Sequence, residues 1–143
     1  MTVIVASVTS PLSPAGVLHI LTDFSASRAQ AFAGVDESNL TVHEVGDGWA
    51  DVTEGNKIGW ERERYDWDQQ AGTISAVTTD SNLWGPGSRW DYRLIPQDGG
   101  TKVVIRLERH PKSLAGHLVG ALMPLFGKGF ITAGFERALK ASS

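Results

Sequence analysis

Arg62, Arg109 and Tyr92 are the polar side chains that strand parity turns inward, and the indoles of Trp60, Trp84 and Trp90 gather beside them. A guanidinium in an apolar interior pairs with an anionic group through its forked N–H donors. Two indoles on strands separated by one bearing only Ala76 and Thr78 make a flat slot. The chemistry on offer is recognition of a flat apolar molecule, with Arg62, one step deeper than Trp60, placed to meet an anionic group. Other chemistries find no support. His19, His43, His110 and His117 show no metal spacing, and the chain has no cysteine, which removes thiolate catalysis and zinc-thiolate sites. No nucleophile stands with a base, no glycine loop cradles a phosphate, and Gly127-Lys128-Gly129 is too short to count as one. Glu44, Asp47, Asp51 and Glu54 straddle a turn and read as a solvated hairpin. No metal and no cofactor is implied.

The elements that place these residues follow from hydrophobic periodicity. Residues 2–9 alternate and are β-branched, a strand; Ser13-Pro14 then opens a short helix with Val17, Leu18, Leu21 and Phe24 on its buried side. A second short helix covers 26–32. From Leu40 the period is two, predicting strands at 40–45, 49–54, 57–67, 73–79, 88–95 and 102–109. The separators are turn formers such as Gly46-Asp47-Gly48, Gly55-Asn56 and Asp98-Gly99-Gly100, so the strands form an antiparallel meander. A strand sends alternate side chains to opposite faces. Val103, Ile105, Leu107 and Arg109 therefore face inward together, as do Trp90, Tyr92 and Leu94, and Ile74, Ala76 and Thr78. Strand 57–67 is ambiguous. Its even set (Ile58, Trp60, Arg62) is preferred over its odd set (Glu61, Glu63, Tyr65, Trp67), and a bulge would exchange the halves.

From Leu114 the chain is an almost uncharged helix, with Leu118, Leu122, Phe126 and Phe130 recurring every fourth residue as the expected inward face. Beside it runs a stripe nearly without side chains, Gly116, Gly120, Pro124 and Gly127. Each glycine in a helix interior costs roughly 1 kcal/mol, so the stripe signals close backbone approach or unfilled space. Pro124 predicts a bend or interruption at 124–129.

A chain of 143 residues predicts one domain, spanning 1–143, that needs no disulfide. The net charge is −3 without a polybasic run, which argues against nucleic acid and anionic membrane as partners. The N-terminus lacks a basic region before its apolar residues, so it reads as a strand and a cytoplasmic location is the default expectation. Residues 114–135 hold one formal charge, yet His117, Pro124 and five glycines weigh against stable membrane insertion.

The layout, with Ser-Pro-Ala-Gly-Val-Leu-His-Ile-Leu-Thr-Asp at 13–23 and Trp-Asp-Tyr-Arg-Leu-Ile-Pro at 90–96 followed by Gly-Gly-Thr-Lys-Val at 99–103, resembles the SRPBCC or START-like superfamily. That superfamily includes polyketide cyclases and dehydratases, START lipid carriers and plant pathogenesis-related proteins. The resemblance implies an α+β helix-grip fold: a seven-stranded antiparallel sheet wrapped around a long C-terminal helix, with two short helices after the first strand. It also implies a cavity between sheet and helix for a small hydrophobic ligand. His19 stands where an aromatic is common, and the glycines around Pro124 depart from the pattern. The expected cavity is lined by Trp60, Arg62, Trp90, Tyr92, Ile105, Leu107, Arg109, Leu118, Leu122, Phe126 and Phe130, and opens near Trp84, which serves as gate or edge cap. Three readings follow: a binding protein for an aromatic, polyketide-like or acyl molecule, a cyclase or dehydratase enzyme, or a protein that dimerises through its last helix.

Overall fold

The computed structural model describes residues 1–140. Strand β1 (Thr2–Ser10) leads into helix α1 (Pro14–Leu21), where Ser13 Oγ accepts from the Gly16 N–H at 3.2 Å and Pro14 occupies the first turn. Helix α2 (Ser27–Ala31) and a single 3-10 turn (Glu37–Asn39) precede the meander. Its strands are β2 (Thr41–Gly46), β3 (Trp49–Gly55), β4 (Trp60–Asp68), β5 (Thr73–Ser81), β6 (Arg89–Gln97) and β7 (Gly100–Arg109). Helix α3 (Leu114–Lys140) closes the chain. All strand pairs are antiparallel, in the order β1-β7-β6-β5-β4-β3-β2. This is the helix-grip architecture expected of the sequence.

The core lies between the concave face of the sheet and the C-terminal half of α3. Ile131, Phe135 and Leu139 enter it beside Val17, Leu21, Ile105 and Val103. Phe135 meets Phe32, Trp90 and Tyr92 at centroid distances of 5.6, 6.0 and 5.8 Å, and each such pair adds about 0.5–1.5 kcal/mol to the area it buries. Ser10 Oγ donates to the Leu139 carbonyl at 3.0 Å and ties the helix end to β1.

The N-terminal half of α3 behaves differently, and it corrects two expectations. The glycine stripe, and not the leucine stripe, is the packed edge: Gly116 and Gly120 are buried, whereas Leu118 is 65% exposed. A Cβ at Gly116 would strike the Leu83 carbonyl, one at Gly120 would press on Pro111, and one at Gly127 would lie 2.6 Å from Ile4 Cδ1. The glycines thus let the helix approach the β5–β6 and β7–α3 loops at van der Waals distance. Leu114, Leu118 and Leu125 share the outward side, at 89, 65 and 74% exposure. Of the bend or interruption expected at 124–129, the interruption does not occur: α3 is helical from Leu114 to Lys140 with Pro124 inside it. A proline removes one helical hydrogen bond, and the turns on either side hold the run together. By length and composition α3 is apolar enough to cross a bilayer, although its glycine edge and C-terminal half lie against this domain's own strands and loops.

Candidate functional site

Between α3 and the inner face of the sheet lies an open cleft of about 790 Å³. Trp60, Trp84, Trp90, Tyr92, Leu107, Arg109, Leu122, Phe126 and Phe130 line it, alongside residues not foreseen, chief among them Arg28, Phe32, Glu54, Glu61, Glu63 and Tyr65. Three expected residues lie outside it. Leu118 points outward, Ile105 is deep in the core at 1% exposure, and Arg62 is on the opposite face. The mouth is also not beside Trp84. The exposed lining residues are Ala33 and Gly34 after α2, Ile58 in the β3–β4 loop, and Leu122, Phe126, Phe130, Ala133, Gly134 and Arg137 on α3, so the opening lies between these two loops and α3, and Trp84, 7% exposed, forms an inner wall. A smaller hollow of about 390 Å³ near the Gly48 turn shares only Tyr92 with these aromatic walls and adds Trp67.

Trp84 owes its place to Ser81. A bulge opposite Arg62 and Glu63 adds Thr79 to β5, so Thr78 and Ser81 both face inward although three residues apart. Ser81 Oγ donates to the Trp60 carbonyl at 2.7 Å and accepts from the N–H groups of Leu83 and Trp84 at 3.0 and 3.1 Å. The loop is then clamped by the Trp84–Pro111 bridge and by Gly85 N–H donating to the His110 carbonyl at 2.7 Å.

Strand β4 turns its odd residues inward. Register decides it: Ala50 and Val52, fully buried on β3, stand opposite Tyr65 and Glu63, which must share their face. Arg62 consequently faces out and pairs with Asp51 at 2.7 and 2.9 Å. Glu54, expected in a solvated hairpin, is likewise buried at the end of β3.

The cleft floor is therefore a polar cluster. Arg28 reaches from α2 to Glu54 at 2.8 and 3.4 Å and donates to Tyr65 Oη at 3.0 Å and to the Leu21 carbonyl at 3.1 Å; the Tyr65 hydroxyl in turn donates to Glu54. Burial works against both charges of this pair, but their mutual attraction outweighs it, leaving the Glu54 carboxyl below and the Arg28 guanidinium above their ordinary values. Arg109 grips both oxygens of Glu61 at 2.7 and 2.8 Å, with its guanidinium carbon 5.0 Å from the Trp84 ring centre and 5.3 Å from that of Trp90. Glu61 also accepts from Thr78 Oγ1 at 2.9 Å and from the Trp90 indole N–H at 3.4 Å.

Glu63 stands between these two pairs without a cation of its own. Burial, then the negative charges of Glu61 and Glu54, push its carboxyl well above the ordinary value, and a hydrogen bond to Glu54 acts in the same direction. The fold thus favours the protonated form of Glu63. Burial, with Glu54 and Glu63 as the leading neighbours respectively, also keeps Tyr65 and Tyr92 protonated. Among the described residues, two buried side-chain polar atoms lack a partner, Glu63 Oε2 and Arg109 Nε, and both belong to residues of this floor. Among the described residues no three His, Asp or Glu side chains converge as a metal site. Sequence reasoning missed Glu61 and Glu63 through the parity of a single strand; the aromatic pair Tyr65 and Trp67 on the odd set was the signal that pointed the other way.

The family described as polyketide cyclase / dehydrase and lipid transport matches residues 1–142. The chain belongs to that family. No curated protein matches the chain by sequence. Among solved structures, TTHA0849 of Thermus thermophilus superposes with a TM-score of 0.78 at 18% identity, covering 99% of this chain and 100% of that one. The Zhui aromatase/cyclase of Streptomyces sp. R1128 gives 0.74 at 15% identity over 99% and 98% of the two chains. A START superfamily protein of Mycobacterium smegmatis gives 0.72 at 12% identity over 96% of each. At these identities the likeness establishes the fold, the polyketide cyclase and START-like sheet wrapped on a long C-terminal helix.

Proposed function

We propose that this chain binds a flat or elongated apolar small molecule in the cleft between α3 and the sheet. The observation that carries the reading is the state of Leu122, Phe126 and Phe130. They line the cleft yet remain 49, 69 and 74% exposed, so they form an apolar wall with nothing packed against it. The family's description, which joins cyclase and dehydrase chemistry with lipid transport, supports the same ligand class. Calorimetric titration with a panel of fatty acids and fused-ring aromatics tests it, comparing the wild type with Phe130→Ser. A 74%-exposed side chain contributes little to folding, so the variant should keep its stability while losing at least severalfold in affinity. Absence of heat from every member of the panel would refute the proposal.

A second reading, turnover of the cyclase or dehydratase kind, is favoured by the buried acid Glu63 on the floor. A buried carboxyl whose protonated form is favoured can act as a proton source beside a bound ligand.

A further inference from the structure

We infer that the floor of the cleft receives a neutral hydroxyl group of the ligand, a phenol, enol or alcohol, held between Glu63 and Arg109, and that it disfavours carboxylates. This rests on the cleft being the ligand site. The two unpartnered buried polar atoms of the described residues lie on these two neighbours, and they differ in kind. Arg109 Nε can only donate, and a carboxyl oxygen of Glu63 can accept. The two side chains are near enough to interact electrostatically, so a hydroxyl entering between them would accept from Nε–H and donate to the carboxyl. An aliphatic or aromatic ligand without oxygen leaves both unpaired, as they are now.

Charge argues the same way. Both guanidiniums at the floor are already committed and cannot serve an anionic head group: Arg28 is taken by Glu54 and Arg109 by Glu61. A ligand carboxylate placed there would face Glu61 and Glu63 from β4 and Glu54 from β3, with Tyr65 and Tyr92 completing the polar surround from β4 and β6. The guanidiniums beside it there are already neutralised, and the further cation of the cleft, Arg137, stands on the exposed side of α3, away from β4 and β7 in sequence. Above the floor, the Trp90 and Tyr92 rings lie parallel, 4° apart in orientation with centroids 6.2 Å apart, and the Trp84 indole covers Arg109, so the hydroxyl is presented from a largely apolar surround.

Calorimetry with three probes of one ring system, 2-naphthol, 2-methylnaphthalene and 2-naphthoate, tests the inference near pH 7. A neutral hydrogen bond to an otherwise unpaired buried group is worth about threefold to tenfold in affinity, so 2-naphthol should exceed 2-methylnaphthalene by about that factor. 2-Naphthoate should bind more weakly than either. Glu63→Leu should bring 2-naphthol and 2-methylnaphthalene to within about twofold, whereas Glu63→Gln, which keeps a neutral accepting oxygen, should preserve the preference. Binding of 2-naphthoate equal to or tighter than 2-naphthol in the wild type would overturn the inference, and that comparison needs no variant to fold. Equal binding of naphthol and methylnaphthalene would also overturn it while leaving the apolar cleft intact. If none of the three binds, both the inference and the cleft reading fall.

Discussion

The guanidinium of Arg109 on β7 holds both carboxylate oxygens of Glu61 on β4, at 2.7 and 2.8 Å, across the two strands that separate them in the sheet. A concave sheet brings the inner side chains of β4 and β7 together over the small Ala76 and Thr78 of β5, and Thr78 donates to the same carboxylate. The pair absorbs the charge of Glu61 and leaves Glu63, two residues along the same face, to carry its proton alone.

That proton makes stability fall with rising pH. In the unfolded chain Glu63 ionises near the ordinary 4.5, whereas in the fold it stays protonated well above that. Between the two values the native state holds a proton the unfolded state has lost, so Glu63 lowers stability by up to about 1.4 kcal/mol per pH unit. Glu63→Gln has no such titration. Its advantage over the wild type in urea unfolding should be smallest near pH 4 and should grow as the pH rises above the ordinary carboxyl value, levelling off once Glu63 ionises in the fold. A difference that stays flat over this range would show that Glu63 is ionised in the fold.

Removing one member of the Arg28–Glu54 pair should be severe. Both side chains are less than 10% exposed, and Arg28→Met strands the Glu54 carboxylate. A loss of about 3–5 kcal/mol is expected, with much of it recovered in Arg28→Met combined with Glu54→Gln. Arg62→Ala, acting on the half-exposed pair with Asp51, should change stability by only about 0–1 kcal/mol in the same unfolding experiment.

The glycines of α3 should divide by what surrounds them. At Gly116 a Cβ meets the Leu83 carbonyl, an atom held by the loop, so Gly116→Ala should destabilise and reduce the packing of Trp84. At Gly129 a Cβ meets nothing within 4 Å, and Gly129→Ala should gain up to about 1 kcal/mol from helix propensity alone. Thermal unfolding of the two variants should shift in opposite directions.

Local pattern was enough for the order of strands and helices, the antiparallel meander and the inward parity of β6 and β7. Turn chemistry and a period of two are local properties, and Val103, Ile105 and Leu107 or Tyr92 and Leu94 leave one face as the buried one. The same parity placed Trp90, Tyr92 and Arg109 on the side of the cleft before any coordinates. What the amino acids alone left open was each element with two plausible faces. In β4 both faces carry charge, and only its register with Ala50 and Val52 turned Glu61, Glu63 and Tyr65 inside and Arg62 out. In α3 a leucine stripe and a glycine stripe competed. Leu118 lost because the loops at Leu83 and Pro111 come too near the helix axis for any side chain, which is a distance between elements remote in sequence. The same approach holds Leu122, Phe126 and Phe130 at the rim of a cleft instead of in a closed core, and neither periodicity nor composition encodes that spacing.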